Sequence, residues 1–230
     1  MFETKNDFMR GLRPMLVTAI CFQSWFFLHD PSITASRRAD TMSIRRIDWS
    51  LYFDNSSLLH FFYKLMALLM ESPLRIRFND PVQTLEAAGV RPGLVVLEVG
   101  CGPGLFTLPA AEMVGDEGLV HALDLHPLAI EQVAKKIKEA GLNNVILTKA
   151  NANQTELPCG SFDMVLLFGL LPSPTLPLKQ LLPEMHRLLK PDGALAVWTF
   201  FPWWSPTSLT GSELFEYAGK ESGVYNFRKV

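Results

Sequence analysis

The most constraining stretch of the chain runs from Leu94 to Phe106 and reads Leu-Val-Val-Leu-Glu-Val-Gly-Cys-Gly-Pro-Gly-Leu-Phe. Its first half is an apolar run rich in Val and Leu, the pattern of a strand buried on both faces, as in a parallel sheet. The run passes directly into glycines at alternate positions, Gly100, Gly102 and Gly104. Glycine lets the backbone take positive φ there and lets a ligand approach without a Cβ in its way. A helix-compatible segment follows, and its N-terminus offers unpaired N–H groups. A turn of this kind, at the carboxyl end of a central strand, is where open α/β sheets bind ligands.

Spacing narrows the choice of ligand. The dinucleotide fingerprint G-x-G-x-x-G needs a glycine three places after its second one. Three residues after Gly102 stands Leu105, which argues against a nicotinamide-dependent oxidoreductase. The pattern is instead Glu98-x-Gly100-x-Gly102-x-Gly104, with an acid two residues before the first glycine. The segment Glu98-Val99-Gly100-Cys101-Gly102-Pro103-Gly104 resembles motif I of the class I S-adenosylmethionine-dependent methyltransferases. Taken alone, the glycines are equally compatible with a tight strand-to-helix turn that holds no ligand.

The chain has 230 residues, enough for one domain with a full core plus an appendage. Its net charge of −2 and pI near 6.2 supply no basic field to recruit nucleic acid. The three cysteines, Cys21, Cys101 and Cys159, lack C-x-x-C spacing. They suit reduced thiols in a cytoplasmic protein and imply neither a disulfide frame nor a metal site.

Residues 1–56 form an N-terminal extension that the sequence interprets least. Pro14 to Leu28 is a mostly apolar run of 15 residues. As a helix it spans about 22 Å, short of the roughly 30 Å hydrocarbon core of a bilayer. Lys5, Arg10 and Arg13 ahead of it also suit a secretory leader, although export would part the chain from the cofactor its motif implies. A membrane anchor remains open, and so does a start at Met42, which the ordinary look of Met42-Ser43-Ile44-Arg45-Arg46 favours slightly.

Residues 57–93 read as a helical segment before the core. Ser57 to Glu71 is an apolar helix carrying His60 and Lys64, with Asn55, Ser56 or Ser57 as its cap and Pro73 as its stop. It can pack on the core, cover an apolar substrate as a lid, or make peripheral contact with a membrane. Pro81 to Ala88 follows as a short helix closed by Gly89, and Arg91-Pro92-Gly93 turns into the first strand.

Residues 94–230 alternate strands and helices, the order that a parallel sheet demands. Leu105 to Val114 is expected as the first core helix, with Pro109 confining its first turn. Leu119 to Asp124 is the second strand, ending in an acid twenty residues after Gly104. In nucleotide-binding α/β folds an acid at that distance accepts hydrogen bonds from ribose hydroxyls. A helix from Pro127 to about Gly141 and a third strand, Asn144 to Lys149, come next. Leu157 to Phe168 and Lys190-Pro191-Asp192-Gly193 are similar to the family's "LP…SFD" and "LKPDG" turns. A fifth strand is expected over Ala194 to Thr199. Two alternating segments, Leu214 to Ala218 and Val224 to Val230, flank Gly219–Gly223 as a hairpin.

The resemblance implies a Rossmann-like α/β fold: a seven-stranded, mostly parallel sheet with an antiparallel last strand and helices on both faces, preceded by the helical extension. It assigns S-adenosylmethionine as cofactor and carries binding over to Glu98, Gly100, Cys101, Gly102, Gly104, Asp124, Leu125, Asn151, Ala152 and Phe168. Asn151 stands where many members carry an Asp toward the adenine, so its contact is uncharged. Leu170, Trp203 and Trp204 fall where the acceptor is shaped, and their apolar bulk favours a small lipophilic acceptor. No catalytic base is assigned; His60 and His126 are the candidates. The residues Phe-Gly-Leu-Leu after the fourth strand lack the N-P-P-aromatic signature of base-modifying enzymes, which again argues against a nucleic-acid substrate. The function implied is methyl transfer to a small lipophilic molecule. A non-catalytic cofactor-binding module, acting through the apolar helix, is the alternative from another class.

Overall fold

In the computed structural model, which describes residues 57–72, 80–172, 176–199 and 204–230, the apolar run before the glycines is strand β1 (Val95–Val99) at the middle of a sheet. The other strands are β2 (Leu119–Asp124), β3 (Val145–Lys149), β4 (Phe162–Phe168), β5 (Leu189–Trp198), β6 (Phe215–Glu221) and β7 (Val224–Lys229). They lie in the order β3-β2-β1-β4-β5-β7-β6. The first five are parallel, and β7 runs antiparallel to both β5 and β6. This is the expected Rossmann-like sheet. The N-terminal readings at Pro14–Leu28 and Met42 lie outside the described residues.

Parity along the strands divides the core between the two faces. Val96 on β1, Met164, Leu166 and Phe168 on β4, and Trp198 on β5 pack with α2 (Pro81–Ala88) and α3 (Thr107–Val114). Farther along this face, α4 (Pro127–Ala140) lays Val133 against Ala122. Leu97, Val99, Val165, Leu167 and Val197 face the other way, toward Leu181, Leu182, Met185 and Leu188 of α5 (Leu178–Leu188). Burying a side chain of this size contributes roughly 1.5–3 kcal/mol. A four-residue turn, α6 (Thr207–Thr210), covers the second face with Leu209. Ahead of all of these lies α1 (Ser57–Met70).

Three boundaries differ from the sequence expectation, each for a local reason. The helix after the glycines begins at Thr107 rather than Leu105, because residues 102–106 form a turn in which Gly104 N–H donates to Cys101 O at 3.0 Å. Pro109 is then the third helical residue, where its missing N–H is one that no helix pairs. Lys190–Gly193 lies inside β5 as an irregularity, since Leu189 already pairs with Phe162 before Ala194 meets Met164. In the hairpin, β6 extends to Glu221 and the connection shrinks to Ser222-Gly223, at φ 45° and 88°. Positive φ at both central residues is the twist-matched two-residue turn.

At the amino ends of the strands, Asp163 receives the Lys190 ammonium at 2.9 Å on each oxygen and the Val95 N–H at 2.9 Å. Burial would raise its pKa, but Lys190 and the Val95 N–H outweigh it and hold the carboxyl below its ordinary value. The "SFD" and "LKPDG" turns therefore brace the end of the sheet opposite the glycines.

Candidate functional site

The carboxyl ends of β1 to β4 line up in register, with Val99 beside Leu123, Glu98 beside Leu166, and Asp124 beside Lys149. The loops that leave them form the site. Gly100 and Cys101 donate their N–H groups to Leu123 O at 2.7 and 3.1 Å, which fastens the glycine turn to β2. Gly100, Gly102 and Gly104 all have positive φ. A Cβ on Gly100 would lie 2.8 Å from Leu170, and one on Gly104 would lie 3.0 Å from Val133. A Cβ on Gly102 would meet nothing within 4 Å. A side chain at Gly100 would displace the end of Leu170 and one at Gly104 would press on Val133, while Gly102 opens onto free space wide enough for a ligand to approach the backbone.

Asp124 is half-buried at the end of β2 and joins the two loops. Its Oδ2 accepts from Gly102 N–H at 2.9 Å and its Oδ1 from His126 N–H at 2.8 Å. Burial raises its pKa, opposed by backbone N–H donors from His126, Gly102 and Leu125. A carboxylate offers about four lone-pair directions, so acceptor capacity remains for hydroxyls of a ligand. The acid placed by its distance from the glycines therefore also fixes the shape of the glycine turn.

Glu98 lies below the turn on the α3 face, 2% exposed, and accepts from Thr107 Oγ1 at 2.5 Å. Burial pushes its pKa up to about 8; the charge of Asp124 adds to this and the Thr107 bond opposes it. Cys101 is buried nearby, and burial raises its thiol pKa too. Asp124, half-buried at the turn, is the acid placed to meet a positively charged ligand, while Glu98 is sealed beneath and mostly protonated near neutral pH.

Beyond β3, Asn151 and Gln154 form an isolated bridge, and Asn151 Oδ1 accepts from Asn153 N–H at 3.0 Å. That carbonyl makes a local Asx turn and keeps a second lone pair for a further donor. Ala152 is buried beside it, and Asn153 Oδ1 is buried without a hydrogen-bond partner. The turn is tied to α5 by Glu184, which accepts from Thr155 N and Oγ1 at 2.9 and 2.7 Å. Arg187 is the main reason its pKa falls to about 2.

Phe168 ends β4 with its ring in the core, edge-on to Phe106 at 5.0 Å, so only its backbone can face the site. Leu170, two residues on, lies over Gly100 and forms an apolar wall. Trp204 packs on the α5-side core, and Trp203 lies outside the described residues.

The two candidate histidines are brought together, with ring centroids 5.2 Å apart. His126 is the N-cap of α4, its Nδ1 accepting from Leu128 N–H at 3.2 Å, so that nitrogen is occupied by capping. Tyr63 of α1 stacks on the same ring at 4.4 Å and 18° and donates its hydroxyl to Gln132 at 3.0 Å. Burial, with Asp124 contributing, raises the Tyr63 pKa. Lys136 donates to Pro103 O at 2.7 Å and pairs with Glu71. Sequence reasoning missed Tyr63, Gln132 and Lys136, because their partners are 33 to 69 residues away in the chain. Among the described residues no His, Cys, Asp and Glu group could hold a metal ion, and no helix is long and apolar enough to cross a membrane.

Comparison with known proteins shows what the chain is similar to. Residues 96–193 match a family model described as a methyltransferase domain. A solved S-adenosylmethionine-dependent methyltransferase from Aquifex aeolicus superposes with a TM-score of 0.58 at 23% identity, over 72% of this chain and 96% of that one. Residues 96–193 thus resemble a methyltransferase domain, and the likeness to the solved structure is one of fold. A demethylmenaquinone methyltransferase from Listeria welshimeri is 40% identical over 135 residues, 58% of this chain and 56% of that protein. An aklanonic acid methyltransferase from Streptomyces is 44% identical over 71 residues, 31% of this chain and 32% of that protein. The chain spans about half the length of the curated demethylmenaquinone methyltransferases it matches.

Proposed function

We propose that this chain binds S-adenosylmethionine and transfers its methyl group to a small lipophilic acceptor. The observation that carries the reading is the joint held by Asp124. One carboxylate shapes the glycine turn through Gly102 and the α4 cap through His126, and still has acceptor capacity for a ribose. The open space at Gly102 lets a ligand come close to backbone, and Asp124 beside it is the acid placed to meet a cation. Asn151 and Ala152 at the β3 end suit the edge of an adenine.

When bound, the cofactor supplies a sulfonium methyl that is already activated for in-line displacement. The chain's contribution is then alignment, which can be worth roughly 7–11 kcal/mol. Leu170 over Gly100 walls the acceptor side with apolar surface. The demethylmenaquinone named for several relatives supports a lipophilic acceptor. The outward face of α1 carries exposed Leu65 and Leu68, which suits contact with the lipid surface where such a molecule resides. The composition of the chain gives no support to a nucleic-acid substrate.

Calorimetric titration with S-adenosylmethionine and S-adenosylhomocysteine, with NADH as control, tests the cofactor. Micromolar binding of the first two alone is expected, followed by labelled methyl transfer into a lipid extract. Binding without transfer into any extract would turn the reading to a non-catalytic module. Absence of binding would remove it.

A further inference from the structure

We infer that Tyr63 and Lys136 are positioning residues that couple the seating of α1 to the shape of the cofactor site. The inference rests on the cofactor reading above and goes beyond it. Tyr63 reaches from α1 to both the cap and the flank of α4. Its ring stacks on His126, whose backbone N–H holds Asp124, and its hydroxyl bonds Gln132. Lys136 lies four residues after Gln132, so the two share one face of α4. From there it donates to Pro103 O, inside the glycine turn, and pairs with Glu71, just past the end of α1.

These contacts close a ring. One side runs from α1 through Tyr63 and His126 to Asp124. The other runs from α1 through Glu71 and Lys136 to Pro103. Asp124 joins the two where it accepts from Gly102. Both loops that would hold the cofactor are therefore tied to one helix by side chains, at two separate points.

The way α1 is held makes this more than packing. Among its described side chains only Ala67 is fully buried; His60, Tyr63 and Met70 are half-buried, while Leu65 and Leu68 are exposed. Among the described side chains, the ties of α1 to the sheet domain thus include the site residues themselves. Coupling of this kind is reciprocal: a ligand that fixes the glycine turn and Asp124 favours seated α1, and seated α1 favours the ligand by the same factor.

The test uses the full chain with Tyr63→Ala, Lys136→Met and the conservative Lys136→Arg. S-adenosylhomocysteine affinity is read by calorimetry, and hydrogen exchange of residues 57–72 is read with and without the ligand. Ligand should slow exchange across 57–72. Tyr63→Ala and Lys136→Met should each weaken binding by about 5- to 150-fold, the usual span of such couplings, and Lys136→Arg should restore it. Wild-type affinity in both variants, or protection of 100–104 and 124–126 with none at 57–72, overturns the inference. If the wild-type chain binds neither cofactor form, the cofactor reading fails separately. Exchange of 100–104 in the ligand-free Lys136→Met variant then decides: faster exchange supports the coupling, and unchanged exchange overturns it.

Discussion

Glu98 gives the sharpest test of the site's electrostatics. Its carboxyl is sealed between β1 and α3, and burial carries its pKa from 4.5 to about 8. In the unfolded chain the group ionises near 4.5, so between these values the folded protein holds a proton that the unfolded chain has released. Stability must therefore fall as pH rises through this window, being whole below pH 4.5 and lost above about 8. The span of about 3.5 units at ~1.4 kcal/mol each sets a ceiling of about 5 kcal/mol. Roughly 4 kcal/mol of that falls between about pH 5 and 9. Glu98→Gln keeps a carbonyl for the Thr107 hydroxyl and removes the titration. Thermal unfolding of the ligand-free protein and the variant at several pH values is the assay. At roughly 2–4 °C per kcal/mol for a chain of this size, the native Tm should drop by about 8–16 °C relative to the variant across that range. A difference between the two proteins that stays constant with pH would refute the burial argument.

Asp124→Asn keeps one acceptor oxygen where two are used, so S-adenosylhomocysteine binding should weaken by about 1–3 kcal/mol; unchanged calorimetric affinity would remove the ribose assignment. Asp163→Asn breaks the brace at the opposite end of the sheet and should lower Tm by roughly 2–4 °C for a loss of about 1 kcal/mol, since the Lys190 pair is partly solvated. Cofactor affinity should not move in that variant, and a drop would mean that the brace shapes the site after all. Replacing Leu65 and Leu68 together by Ser should reduce co-sedimentation with lipid vesicles; a native chain that stays in the supernatant would sink the surface-contact reading.

Legibility followed the range of each interaction. The strands, the glycine turn and the acid that closes β2 could be read because buried strands, positive-φ turns and fixed spacings are written within twenty or so residues. Strand parity, taken further, would also have placed the Phe168 ring: it shares a face with Met164 and Leu166, and so with the core rather than the ligand. The coupling through Lys136 could not be read this way. In Ala134-Lys135-Lys136-Ile137-Lys138 it looks like any lysine on a solvated helix face, and only the fold brings Pro103 and Glu71 to it. The same holds for Tyr63, which in sequence is one aromatic among several on an apolar helix. Asn151 shows a third limit. Its residue type permits an adenine contact, and its carbonyl also accepts from Asn153 N–H in a local turn that the residue type alone does not announce.

The two ends of the sheet explain why family-like turns differ so much in meaning. At the amino ends, Asp163 has its acceptor capacity taken by Lys190 and Val95, and its lowered pKa marks a carboxylate satisfied by the protein. At the carboxyl ends, Asp124 and Glu98 have raised pKa values because burial exceeds what nearby donors return. A folded protein keeps under-compensated acids where a ligand completes them. A cation seated above Gly102 would lower both carboxyl pKa values and release protons on binding. Titrations in two buffers of different ionisation enthalpy should therefore give different apparent heats near pH 7. Equal heats in the two buffers would show that neither acid responds to the ligand's charge.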